Sequence, residues 1–145
     1  MIKKQFVIFV LAGLTTIKND VDWNSVYIFY VNHKCVSNSD SLATHLKAIN
    51  YYLDATNIKK ENVATLTGGD DAKTESQLYA EKIRKVVPVE KGFPVFAYIL
   101  LGMGKDGHIG SLYPGRAEVL EKVNWVLPVD KVSLWIASLA RHDDA

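Results

Sequence analysis

Residues 95–115 read VFAYILL followed by GMGKDGHIGSLYPG, an unbroken apolar run and then a glycine-crowded turn around one histidine. The run 95–101 has the length and composition of a buried strand. Glycine accepts positive φ and lets a backbone approach a ligand closely. Open α/β sheets place their chemistry on loops at the carboxyl ends of strands. A strand, a glycine-rich loop and an ionisable side chain in that order predict an α/β fold with its site in this loop.

The flanking sequence supports that fold. Residues 5–11 read as a first strand, with a turn at Ala12-Gly13. The segment 26–31, VYIFYV, is unbroken, aromatic and β-branched, the clearest strand signal in the chain. Residues 32–41 read as polar loop. Asp40 or Ser41 is positioned to cap a helix running to about residue 55, with Leu42, His45, Leu46, Ile49 and Leu53 on one face. A short strand follows over 63–66 and a turn over 68–71. Residues 71–87 read as a second helix, with basic residues in its last turns and the stripe Leu78, Tyr79, Ile83, Val86 and Val87, ended by Pro88. Another strand is predicted over 123–128. Strands alternating with helices imply a Rossmann-like, mainly parallel sheet with helices on both faces. The segment 130–145 continues no strand–helix rhythm.

Composition narrows the function. With 145 residues, the chain makes one domain or part of one. A net charge of +1 with no basic block argues against nucleic acid as a partner. The lone Cys35 rules out an internal disulfide, no Cys/His metal spacing occurs, and a reducing compartment follows as the simpler assignment. Residues 1–4, MIKK, before an apolar run over 6–14 resemble the start of a secretory signal, but no small-x-small cleavage site follows. The run suits a buried first strand better and is too short to span a membrane, so a cytoplasmic protein without a membrane partner is expected.

The loop 102–115 resembles the signature of the 6-phosphogluconolactonases, Gly-Met-Gly-x-Asp-Gly-His-x-x-Ser-Leu-Phe/Tyr-Pro-Gly, at every defining position. That family belongs to a larger group with the glucosamine-6-phosphate isomerase/deaminases. Asp22-Trp23 before the strand at 26–31, and Asn62-Val63 before the second helix, are similar to plant-type members. The resemblance is strongest over 22–115. It implies a single, partial domain over 1–145, truncated at both ends, with 130–145 as an unmatched tail. The deaminase branch carries a glutamate in the stretch matching 109–114; here IGSLYP has none, which favours the lactonases.

Two further stretches depart from the family. Its first strand ends in a Ser-Gly-Gly-Ser/Thr loop whose N–H groups hold the substrate phosphate; here the loop is Ala12-Gly13-Leu14-Thr15-Thr16. Its second strand ends in Val-Asp-Glu-Arg; here it is Val31-Asn32-His33-Lys34, with both acids gone and lysine in place of arginine.

The resemblance implies hydrolysis of 6-phospho-D-glucono-1,5-lactone to 6-phosphogluconate, a step of the oxidative pentose phosphate pathway, with no metal or organic cofactor. Imidazole changes charge near neutral pH and suits a general base for water, so His108 takes that role. Asp106 is expected to orient the loop through backbone N–H groups, direct catalysis being the lesser reading. Gly102, Gly104 and Gly107 would shape the sugar site. Lys34, Gly13, Thr15 and Thr16 would hold the phosphate, Lys34 as a point charge without a fork. Ser111 is expected to cap a short helix after the loop. His33 reads as a loop residue, His45 as a structural boundary residue, and Trp23, Trp125 and Trp135 as core; Cys35 has no partners that would make it a nucleophile, and His142 is assigned no role. The alternative is an inactive relative that still binds a sugar phosphate; the isomerase/deaminase activity ranks third.

Overall fold

The computed structural model describes residues 5–8, 19–69, 71–131 and 133–138, with side chains over 19–69 and 71–129. In chain order the elements are β1 (Gln5–Ile8), β2 (Val26–Phe29), β3 (Asn32–Lys34), α1 (Thr44–Tyr51), β4 (Val63–Ala64), α2 (Ala72–Val86), β5 (Val89–Glu90), β6 (Phe93–Pro94), β7 (Tyr98–Ile99), β8 (Val126–Lys131) and β9 (Ser133–Ser138). Short 3-10 helices lie at Trp23–Ser25, Leu53–Ala55, Lys60–Asn62 and Ala117–Leu120.

Strands β1, β2, β4 and β7 form a parallel sheet in the order β4-β2-β1-β7. Val7 lies opposite both Ile28 and Tyr98, and Ile28 is opposite Val63. The chain steps outward from β1 through β2 to β4, then returns to the other side of β1 as β7. That reversal is a topological switch point, the kind of place where open α/β sheets hold their ligands, at the carboxyl ends of β1 and β7. The loop 102–115 leaves the sheet there.

Alternation along β2 sends its side chains to two helices. Val26, Ile28 and Tyr30 pack with Ala48 and Tyr52, on and just after α1, and with Leu53. Phe29 packs with Tyr79, Ala80 and Ile83 of α2, and with Trp125 and Val126. Helices therefore cover both faces, and Trp23 and Trp125 are core, as expected. Helix α2 also starts where expected: the Asp71 carboxylate accepts from the N–H groups of Lys73 and Thr74.

Several elements differ from the sequence reading. Asp40 holds the Leu42 N–H at 2.7 Å in a turn, and α1 begins only at Thr44, with Ala43 as an N-cap that offers no side-chain bond. Leu42 is exposed as a result, and the stretch beyond Tyr51 tightens into the 3-10 turn at Leu53–Ala55. On α2 the buried stripe is Ala72, Glu75, Ser76, Tyr79, Ala80 and Ile83, and Leu78 is exposed. Residues 32–34, expected to be loop, form β3, which pairs antiparallel with β9. Strands β8 and β9 make a hairpin, so part of the rhythmless tail is strand; the side chain of Trp135 lies outside the described residues. The predicted strand over 123–128 begins only at Val126.

The largest correction concerns the run 95–101. Only Tyr98 and Ile99 pair, and Val95, Tyr98, Leu100 and Leu101 are exposed. β7 has β1 on one side and no neighbour on the other among the described residues, so apolar composition here does not mean burial.

Two buried polar groups yield predictions. The Tyr30 N–H donates to the Tyr79 hydroxyl at 2.6 Å in the protein interior. Tyr79→Phe leaves that N–H without its partner and should lower unfolding free energy by about 1–3 kcal/mol in urea titration. His33, 1% exposed, donates from Nδ1 to the Lys34 carbonyl at 2.9 Å, while Nε2 has no hydrogen-bond partner among the described residues. Burial pushes its pKa down, against smaller opposing effects of the Lys34 carbonyl and Glu75. The unfolded chain thus binds a proton more readily than the folded one. Stability should be full above the ordinary imidazole range, about 6.5, and fall as pH drops below it. His33→Leu should flatten the decline in melting temperature between pH 7 and 5; an unchanged slope would place its origin elsewhere.

Candidate functional site at the carboxyl edge of the sheet

The loop 102–115 is a small hairpin folded around an acid–base pair. The Gly104 N–H donates to the His108 carbonyl at 2.8 Å, and the Gly107 N–H to the Gly104 carbonyl at 2.9 Å. His108 Nδ1 lies 2.5 Å from Asp106 Oδ1, and the His108 N–H reaches the same oxygen at 3.4 Å. The Asp106 carboxylate thus meets one backbone N–H of the loop and the imidazole. The imidazole bond holds the Asp106 carboxyl below the usual carboxylate range. With Nδ1–H donated to a carboxylate, the Nε2 lone pair is the one left to take a proton. The Tyr113 ring packs against the imidazole with centroids 4.7 Å apart.

Gly104 sits beneath this pair. A Cβ built there would overlap the imidazole at Cε1 and Nδ1 and lie 2.8 Å from Asp106 Oδ1. Gly107 has a left-handed backbone, φ +82°, which turns the chain between Asp106 and His108. Gly102 is exposed, with no atom near the position of a side chain.

Beyond His108 the chain reverses through Ile109-Gly110-Ser111-Leu112. Ile109 and Leu112 exchange N–H···O bonds of 3.1 and 2.8 Å, and φ is +55° at Gly110 and +70° at Ser111. Both central residues are left-handed, as in a type I′ turn. Ser111 is therefore not a helix cap: the next helix is the 3-10 turn Ala117–Leu120, preceded by Arg116. Instead Ser111 is buried, and its Oγ accepts from Asn32 Nδ2 at 3.0 Å.

That bond joins the histidine loop to β3. Side chains alternate along a strand, so Lys34 projects on the same face of β3 as Asn32, while His33 is buried on the other. His33 is thus an interior residue, not a loop residue. His45 is half-buried, with Nδ1 3.0 Å from the Tyr30 hydroxyl, the boundary position expected. Burial, with Glu75 and Asp71, pushes the Cys35 thiol up to about 11, which disfavours the thiolate a nucleophile needs. Gly13, Thr15 and Thr16 lie outside the described residues, on the segment after β1 in sequence.

Sequence reading missed three contributors: Asn32, Val31, whose Cγ1 would be 2.6 Å from a Cβ on Gly110, and Tyr113. Tyr113 was visible as a motif position, whereas Asn32 stood out only as a lost acid. No group of three or more His, Cys, Asp or Glu side chains able to hold a metal is found among the described residues, and no described helix is long and apolar enough to cross a membrane.

The packing around Gly104 makes a direct prediction. Its backbone is not left-handed, so Gly104→Ala introduces no φ strain, only the overlap with His108. The variant should keep its fold by circular dichroism while the His108 ring protons lose the shift caused by Tyr113. Unchanged ring shifts would refute this packing.

The sequence model of the family described as Glucosamine-6-phosphate isomerases/6-phosphogluconolactonase matches residues 6–135. A protein of Arabidopsis thaliana named "Probable 6-phosphogluconolactonase 2" is 29% identical over 122 residues, 77% of this chain and 47% of the relative. A 6-phosphogluconolactonase of Treponema pallidum is 28% identical over 102 residues, 70% of this chain and 42% of the relative. The crystal structure of 6-phosphogluconolactonase from Thermotoga maritima superposes with a TM-score of 0.77 at 18% identity, covering 94% of this chain and 63% of that one. The chain thus spans about half the length of these two curated relatives. With the family model matched over residues 6–135, the chain belongs to the glucosamine-6-phosphate isomerase/6-phosphogluconolactonase family.

Proposed function

We propose that the protein hydrolyses 6-phospho-D-glucono-1,5-lactone to 6-phosphogluconate, in the cytoplasm. The observation that carries this reading is the Asp106–His108 pair, 2.5 Å apart, on the loop that leaves β7 beside the switch point. His108 Nε2 takes a proton from water as the water oxygen attacks the lactone carbonyl carbon. The tetrahedral oxyanion collapses, the bond to the ring oxygen breaks, and the imidazolium returns the proton to that oxygen. Asp106 keeps the imidazole in the Nδ1–H tautomer and stabilises the imidazolium. Gly102, Gly104 and Gly107 shape the sugar site. Lys34 supplies charge for the phosphate from the face of β3 shared with Asn32, together with Gly13, Thr15 and Thr16. The low single-cysteine content supports a reducing compartment.

A second reading, sugar-phosphate binding without turnover, is favoured by Asn32 and His33. They stand where the resembling family has acids; one is engaged with Ser111 and the other is buried.

Lactone hydrolysis by purified protein, measured at mildly acidic pH where spontaneous opening is slow, separates the two. His108→Ala should lose about 10²–10⁴-fold, the usual contribution of a general base. Asp106→Asn should lose less, with KM retained. Lys34→Ala should raise KM with kcat nearly unchanged, the sign of an interaction equal in ground and transition states. Folded wild-type protein that binds 6-phosphogluconate without accelerating hydrolysis would establish the second reading.

A further inference from the structure

We propose that Asn32 is a positioning residue for His108, acting through Ser111 and the turn that follows the imidazole. The proposal rests on the reading of His108 as the general base. A serine in the left-handed region is uncommon, because its Cβ crowds the following carbonyl. Such a conformation persists only where its surroundings hold it. Here two contacts do so from one short segment: Gly110 lies against Val31, and the buried Ser111 hydroxyl accepts from Asn32 Nδ2 at 3.0 Å.

The consequence reaches His108 through the backbone alone. His108 immediately precedes the Ile109–Leu112 turn, and its carbonyl is tied to the Gly104 N–H. Met103 and Ile109 also form an antiparallel bridge. If the turn relaxes, Ile109 shifts against Met103, and the His108 carbonyl shifts against Gly104, over which the imidazole is packed. The distance from Nδ1 to Asp106 is thus set partly by an amide on a different strand. Asn32 touches neither the imidazole nor Asp106 in any described contact.

The mechanism predicts a specific rescue. Asn32→Ala removes the bond but leaves the left-handed serine. Adding Ser111→Gly removes the backbone penalty, so the turn re-forms without the bond. Asn32→Asp keeps the bond with its direction reversed, Ser111 O–H donating to the carboxylate. Ser111→Ala removes the acceptor from the other side and should behave like Asn32→Ala.

The experiment reads the 15N shifts of the His108 ring together with lactone hydrolysis, each variant checked for folding by circular dichroism. Asn32→Ala and Ser111→Ala should move the His108 ring away from the Nδ1–H tautomer and lower kcat about five- to tenfold, the effect expected from one lost hydrogen bond, with KM within about twofold. Asn32→Asp and the Asn32→Ala/Ser111→Gly double variant should stay within about twofold of wild type in both readouts. Wild-type ring shifts in Asn32→Ala, or a double variant no better than the single one, would overturn the proposal. Should Asn32→Ala fail to fold, Ser111→Ala against Ser111→Gly makes the same comparison. If the wild type hydrolyses no lactone, the general-base reading fails, while the ring shifts still decide whether Asn32 positions the imidazole.

Discussion

The hydroxyl of Tyr79 takes the N–H of Tyr30 one residue beyond the last sheet pairing of β2, where Phe29 lies opposite Ala64. Among the described residues no strand pairs with that buried N–H, and without a partner it would cost more than a hydrogen bond normally contributes. Tyr79 supplies the partner from α2, and its oxygen also lies 3.3 Å from the Tyr30 carbonyl. One turn earlier on the same helix, the buried Glu75 carboxylate accepts from the Thr67 hydroxyl and from the N–H groups of Thr67 and Gly69. α2 therefore fixes the backbone leaving both β2 and β4. The exit from β2 becomes β3, and β3 carries Asn32 and Lys34. The carboxyl edge of the sheet is thus set by polar bonds from one helix face, with apolar packing behind them.

The acid–base pair itself is built on the opposite principle. The Asp106 and His108 side chains are 56% and 35% exposed, so desolvation contributes little to holding them together. An exposed ion pair is worth little on its own. Steric and backbone constraints supply the definition instead: a glycine under the ring, an aromatic face beside it, and a two-residue spacing that lets one carboxylate meet both the backbone and the imidazole. Solvent access is no handicap for a group whose proposed reaction partner is water.

The fold was legible where a local signal and the tertiary environment agreed. The helix at α2 carries its own cap in Asp71, and the strand at β2 is β-branched and aromatic on both faces because helices cover both. The loop was legible because its spacing is dense in glycine, and the structure uses those glycines sterically, most clearly at Gly104. Failures came where pattern and environment part. The run 95–101 has the composition of a central strand, but among the described residues only Tyr98 and Ile99 pair, and with β1 alone. Leu42 fits a helical period, yet Asp40 turns the chain before the helix starts. Residues 32–34 are polar and read as loop, but pairing with β9 depends on a contact about a hundred residues away in sequence, which no local pattern encodes. Ser111 is harder still, because nothing in a sequence marks a serine that will be left-handed.

The resembling deaminase branch assists its histidine with a glutamate in the stretch matching 109–114. In this chain Tyr113 lies in that stretch, its ring against His108, and the carboxylate that meets the imidazole comes from Asp106, on the other side in sequence. The Gly-x-Asp-Gly-His stretch is common to both branches, so the difference lies in what surrounds the pair, here Tyr113 in a stretch without a glutamate. With Nδ1 held by the carboxylate and an aromatic ring alongside, Nε2 is the one nitrogen left to move a proton. That suits the proposed reaction, in which a single proton passes from water to the departing ring oxygen. An isomerisation with loss of ammonia must move protons at carbon, oxygen and nitrogen, and one nitrogen on one imidazole is poorly equipped to serve all three. Asn32 sharpens the distinction: its amide cannot titrate, and one of its two Nδ2–H groups donates to Ser111. The chemistry proposed for the site is therefore narrowed less by what the loop shares with its family than by the one aromatic ring and the one amide that surround the shared pair.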